Sequence, residues 1–252
     1  MVYGLNVIKK RHKELVMKTK SLLALGMTSL LLVGCASGTT QHDAQVDMAI
    51  ERAEKRAAAT SDDTQKVAVY ERVYKQNPKS EKAAVEYARI LRKSGRIGQA
   101  EAILSPFAED VNSGADTFAE YAAIKVAKGE NSEAEIFARD ALKKQEDNSF
   151  AAHTLGIALD GLGRYKEAEE SFRTALNSWK GSPVPVMNNL ALNLATQGYI
   201  DESITLLERA KTLDPSRTEL ERNLRIIRAL NEGSAAYFPD SNVPTPTKKP
   251  SR

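Results

Sequence analysis

The sequence predicts an all-α array of stacked antiparallel helix pairs, a solenoid, from one period and two residue patterns in register with it. Gly95, Gly129, Gly163 and Gly198 recur at spacings of 34, 34 and 35 residues, a period that marks repeat architectures. Aligning the segments on Glu81, Ala115, Ser149 and Val184 puts Ala88, Ala122, Gly156 and Ala191 at the eighth position and Ala100, Ala134, Ala168 and Ser203 at the twentieth. The twenty-seventh holds Phe107, Ala141, Ala175 and Ala210, and only Phe107 breaks the pattern. Small side chains at facing positions let two antiparallel helices approach closely, and the seventh position, Tyr87, Tyr121, Leu155 and Leu190, supplies the bulk between pairs. Each glycine then serves the helix-to-helix turn, where positive φ carries no steric penalty for it.

The first segment is not part of that array. Met17-Lys18-Thr19-Lys20 precedes the apolar run Leu22 to Val33, and Gly34-Cys35 follows. A basic start, a short apolar stretch and a small residue before a cut describe a secretory signal, and the run is too short for a bilayer that needs roughly 20 residues. Leu32-Val33-Gly34-Cys35 resembles the lipobox of bacterial lipoprotein signals at every position. That resemblance implies that residues 1–34 are removed and that Cys35 becomes the first residue, with a diacylglyceryl thioether and an acylated amino group. Three acyl chains, at about 0.8 kcal/mol per buried methylene, anchor durably where one alone binds marginally. The other reading, a reduced cysteine ending an uncleaved anchor helix, is opposed by the Ser, Thr and Gly within the run and the polar residues after it. Residues 1–16 lengthen the basic region beyond the usual signal, so translation is expected to start at Met17. Ala36 in place of aspartate resembles the pattern of lipoproteins sorted to the outer membrane of a Gram-negative cell.

Beyond Cys35, residues 35–45 read as the lipidated cysteine and a polar tether, and residues 46–230 as the array. Asp63 to Gln76 carries Val67, Tyr70, Val73 and Tyr74 at helical spacing and stops at Asn77-Pro78, the second helix of a degenerate first repeat whose partner is expected over Asp47 to Ala59. Four clear repeats follow, near 81–114, 115–148, 149–183 and 184–217. The third, from Ala151 to Leu176, most resembles the tetratricopeptide (TPR) consensus. Asp214-Pro215 closes the fourth, and Thr218 to Leu230 reads as a single capping helix, because a terminal unit must cover an apolar face and show water a polar one. Residues 231–252, with Pro244, Pro246 and Pro250, have little to bury and are expected to be disordered or extended.

Charge and composition narrow the function. The full chain has a formal charge of +3, but residues 1–34 hold six of its basic residues and one acidic, so the mature chain carries −2. This balance offers no argument for nucleic acid or anionic lipid as partner. The single cysteine is assigned to lipid, and His12 and His42 lie outside the array, which leaves His153 as its one histidine. No zinc ligand set or Ser-His-Asp reading has enough members, and no glycine-rich phosphate loop follows a strand. Glu167 and Glu170 sit among Arg164, Lys166 and Arg173, the pattern of a solvated helix face rather than an acid/base pair. The reading is therefore no enzyme, no cofactor, no metal and no small-molecule substrate.

What remains is binding. The groove wall of a TPR array is lined by first helices, at about the second, fifth, ninth and twelfth positions, and the candidate contact residues are Arg89, Arg92, His153, Ile157, Asn188 and Leu192, with Arg222 and Ile226 from the capping helix. Apolar patches flanked by Arg and by side-chain amides suit an extended backbone. The Lys and Asn constellation by which chaperone-binding TPR domains clamp a C-terminal carboxylate is missing. His153 is either a partner contact or a solvated histidine, and Trp179 either an interface anchor or a cover for the seam of the last two repeats. A lipobox followed by four or five repeats, the run Asn188-Asn189-Leu190-Ala191-Leu192 through Gly198-Tyr199, and the Arg222-Asn223-Leu224 helix together resemble the outer-membrane lipoproteins of Flp/Tad pilus assembly. The resemblance implies a secretin or another pilus assembly component as partner, on the periplasmic face of the outer membrane. TPR lipoproteins that scaffold other envelope machinery, such as peptidoglycan hydrolases, have the same layout.

Overall fold

The computed structural model describes residues 36–237, and every regular element among them is a helix. In chain order these are α1 (Ala36–Ala58), α2 (Asp63–Gln76), α3 (Glu81–Lys93), α4 (Ile97–Ala108), α5 (Ala115–Ala127), α6 (Asn131–Lys144), α7 (Ser149–Gly161), α8 (Tyr165–Ser178), α9 (Val184–Thr196), α10 (Ile200–Leu213) and α11 (Thr218–Tyr237). They form two compact units divided between Glu133 and Ala134. The segment read as a leader, Cys35 and the residues after Tyr237 lie outside the described residues.

The turns come from the repeating glycines. Gly95 has φ 75°, its N–H bonds the Arg92 carbonyl at 3.0 Å, and the Arg96 N–H reaches back to the Leu91 carbonyl at 2.8 Å. This is the Schellman closure, which satisfies carbonyls that the end of a helix leaves orphaned. Gly163 repeats it at φ 75°, with Arg164 N–H on the Leu159 carbonyl at 2.9 Å. Helix starts are capped from the sequence as well: Ser80 accepts from the Ala83 N–H, Asn148 from Ala151 and Asp62 from Thr64.

In the first unit, α1 packs on α2 and α3. Its buried residues, Val46, Ile50, Ala53 and Ala57, follow a single stripe at helical spacing. Val67, Tyr70 and Val73 of α2 are buried, and Tyr74 stacks on Tyr87 of α3 with ring centroids 5.6 Å apart. Ala88 and Ala100 have no exposed surface, as their facing positions require. Phe107, the exception to the small-residue pattern, is only half-buried. Ala108, one residue on and four after buried Leu104, takes the inner place instead.

In the second unit, Gly156 of α7 lies against Phe172 of α8, and Ala168 and Ala175 are fully buried. A core of Val184, Met187, Ala191, Leu207, Ala210, Leu220, Leu224 and Ile227 joins α9, α10 and α11. Helix α11 differs from α9 in charge on one face. Where α9 presents Met187, Ala191 and Leu194 toward its pair, α11 presents Glu221, Arg225 and Arg228. Glu221 pairs with Lys211 and Arg228 with Glu208, both of α10. No further helix can pack on that face without burying these charges.

Two boundaries differ from expectation. Residues 36–45, read as a tether, are the first turns of α1, since no proline occurs before Ala58 and a helix nucleated on Val46 and Ile50 propagates outward at little cost. The capping helix likewise runs past Leu230 to Tyr237.

Candidate protein-binding face

The predicted contact residues ride on first helices in both units, in two different settings. In the first unit, Arg89 and Arg92 of α3 converge on Glu120 of α5, whose side chain is 0% exposed. Arg92 meets it through Nε at 2.6 Å and Nη2 at 3.2 Å, and Arg89 through Nε at 3.3 Å. Arg89 also bonds Glu86 at 2.7 Å. A carboxylate taken from water must be paired, so both arginines serve as counter-ions within the fold. Burial opposes the charge on Arg89, but Glu86 and Glu120 more than offset it and raise its pKa. Burial pushes the Glu86 carboxyl up against the pull of Arg89. Glu120 was not picked out from the sequence; the available signal is a lone carboxylate in the apolar run Phe118 to Ile124, opposite two arginines one repeat earlier.

A second ionic knot in this unit surrounds Lys125 of α5, 8% exposed, which bonds Glu101 and Glu130 at 2.7 Å each and Glu133 at 3.1 Å. Burial works against its charge, yet three carboxylates hold its pKa well above the usual lysine range. Glu81 of α3 accepts from the Gly114 N–H at 2.6 Å and from the Thr117 hydroxyl of α5. These contacts tie α3, α4 and α5 together.

In the second unit the face is different. His153 of α7 is not solvated: it is 8% exposed, lies edge-on to Trp179 at 5.3 Å and tilts over Phe172 at 5.8 Å. Burial depresses its pKa to about 4, so the ring is neutral near pH 7. Its Nε2 accepts from the Asn189 amide at 2.9 Å. Asn188 donates to Asn189 Oδ1 at 3.4 Å and accepts from Asn223 of α11 at 2.8 Å. The result is a chain of hydrogen bonds, Asn223 to Asn188 to Asn189 to His153, across α11, α9 and α7. Asn189 and Asn223 lie outside the predicted contact residues, because nothing local in the sequence distinguishes an internal amide from an exposed one. Trp179 is half-buried, with its indole N–H on the Ser182 carbonyl at 2.9 Å.

Beside this polar row stand Ile157, partly buried, Leu192, 38% exposed, and Ile226, 51% exposed, while Arg222 is exposed. Two open recesses in the unit, about 430 and 250 Å³, have charged rims, and the rim residue Arg164 is already held by Glu135 and Glu167. Among the described residues, no group of three or more His, Cys, Asp or Glu could hold a metal ion, and no helix is long and apolar enough to cross a membrane.

Stacked helix pairs with a residue-lined first-helix face define a helical-repeat, protein-binding class of molecule. Family models described as tetratricopeptide repeat match residues 52–116, 151–180 and 184–217. The chain belongs to the TPR repeat family. Among solved structures it is similar to a thermophilic TPR protein of Thermus thermophilus, at 19% identity over 73% of this chain and 97% of that one with a TM-score of 0.59. It is also similar to a chain of the APC/C Cut9–Hcn1 hetero-tetramer, at 13% identity over 71% and 38% with a TM-score of 0.62, and to PilF of Pseudomonas aeruginosa, at 19% identity over 61% and 69% with a TM-score of 0.53. At these identities the likeness is one of fold. No curated protein matches the sequence.

Proposed function

We propose that this TPR scaffold is a lipoprotein of a Gram-negative envelope, anchored through Cys35 to the periplasmic face of the outer membrane, and that it assists secretin assembly in an Flp/Tad pilus as a TadD-like lipoprotein. The observation that carries its binding role is the first-helix face of the second unit, where Leu192 and Ile226 stand exposed to solvent beside Arg222. Apolar side chains grouped on one face beside a charge suit cover by a partner, as isolated ones elsewhere on the surface do not. The anchor rests on Leu32-Val33-Gly34-Cys35 and the pilus on the resemblance in layout and in the Asn188 to Tyr199 and Arg222 to Leu224 segments. The mechanism is geometric: lipid confines the scaffold to one surface, and confinement raises the effective concentration of a partner on that surface, so modest affinity suffices.

The test is cross-linking and capture of the lipidated protein from its native envelope, beside a Cys35→Ser form, with identification by mass spectrometry. Recovery of a secretin whose membrane placement fails in the Cys35→Ser strain is the expected result. Recovery of cell-wall hydrolases with no secretin would remove the pilus assignment and leave the scaffold.

A further inference from the structure

The first-helix face of the second unit also specifies the conformation of what it binds. Its amides bond one another: Asn223 donates to Asn188, Asn188 to Asn189 and Asn189 to His153, with Asn188, Asn223 and His153 no more than 9% exposed and Asn189 partly buried. An extended backbone laid here therefore meets buried, mutually bonded amides at Asn188 and Asn223 rather than open ones. An extended peptide brings unpaired N–H and C=O groups that need partners when covered, whereas a helix has satisfied its own.

The apolar row makes the same choice by spacing. Ile157 follows His153 by four residues, Leu192 follows Asn188 by four, and Ile226 follows Asn223 by three, so each stands about one turn along from a member of the hydrogen-bonded chain. α9 contacts both α7 and α11, and the three first helices run the same way because one antiparallel helix separates each from the next. Neighbouring members of the row are thus about 10 Å apart, the interaxial distance of packed helices. On a partner helix, about 10 Å is about seven residues at ~1.5 Å each, and residues seven apart share a face. On a strand it is about three residues, and residues three apart point to opposite faces. Arg222 lies on the same side, four residues before Ile226, and makes no ion pair among the described residues.

We infer that the second unit binds an amphipathic α-helix laid across α7, α9 and α11, with apolar residues about seven apart and an acidic residue opposite Arg222. This rests on the protein-binding reading of the face given above, and it names the partner by conformation and charge. The helix keeps its backbone bonds, sets its apolar stripe on Ile157, Leu192 and Ile226, and leaves the amide chain intact.

The experiment places p-benzoylphenylalanine at Ile157, Leu192 or Ile226 of the full chain in cells, with Thr205 of α10 as a control position. After irradiation, the attached residues of the partner are mapped by mass spectrometry. The expected result is attachment of all three to one partner segment at steps of about seven residues. Steps of two or three residues would overturn the helical inference and leave the protein-binding reading standing. Attachment at Thr205 alone would overturn it by moving binding to another face, and no protein adduct at any position would bring down both. Ile226→Asp, with unchanged helical circular dichroism, is expected to lower recovery of the same partner at least tenfold. Unchanged recovery would overturn the inference.

Discussion

Gly156→Ala tests whether the small eighth position is a requirement of packing. Within an exposed helix this substitution stabilises by about 1 kcal/mol, because alanine is the better helix former. Here the new Cβ would lie 2.6 Å from Cδ1 and Cε1 of Phe172 and 3.0 Å from its Cγ. The ring must retreat by about 0.8 Å to reach ordinary contact at ~3.4 Å. Phe172 is 1% exposed and lies against His153, so it has no free space to enter. Overpacking of this kind costs about 2–3 kcal/mol at the upper end of its range, and the net expectation is a loss of about 1–2 kcal/mol. Urea unfolding of the protein, followed by far-UV circular dichroism and by fluorescence of its single tryptophan, Trp179, measures it, with the midpoint falling at unchanged slope. In a Phe172→Leu background, where the ring is gone, the same alanine is expected to be neutral or stabilising. A rise in midpoint for Gly156→Ala with Phe172 intact would refute the packing argument.

Other consequences are as direct. The unfolded chain protonates His153 near pH 6.5 and the folded chain only near about 4, so the unfolded state binds the extra proton between them. Stability is therefore expected to fall as pH drops from about 6.5 to about 4, by up to roughly 3 kcal/mol; a His153→Gln chain, denatured in urea across that range, should lack this component. Arg92→Met leaves buried Glu120 with Arg89 alone at 3.3 Å and should destabilise the first unit by about 3 kcal/mol, while adding Glu120→Gln should recover most of the loss in differential scanning calorimetry. Gly163→Val places a β-branched residue at φ 75° and should cost about 2 kcal/mol in thermal unfolding, with Gly163→Asn milder because asparagine tolerates that conformation.

Much of the fold was legible because its signals are local and periodic. A glycine every 34 or 35 residues announces a turn that needs positive φ, and Gly95 and Gly163 have it. Small residues at Ala88, Ala100, Ala168 and Ala191 announce close helix approach, and all four are fully buried. Phe107 shows the limit of the period: the buried place passed to Ala108, because packing selects the side that faces inward and not the numbered position. The ends of α1 and α11 were missed by the same measure, since polar residues carry no periodic signal and a helix runs on from an anchored turn until something stops it.

The contact face divides differently. Sequence alone determined which residues ride on the first helices, because position within a repeat follows from the period. Leu192 and Ile226 are exposed there, as a binding face needs. Only the tertiary structure decided which polar groups remain available. Glu120 takes Arg92 from 28 residues away, Asn189 takes His153 from 36 and Asn223 takes Asn188 from 35. A repeat of 34 brings such pairs onto neighbouring helices, but whether they bond each other or face solvent depends on side-chain rotamers and on the cover supplied by Phe172 and Trp179. Those are set by packing across the stack, which no single repeat encodes.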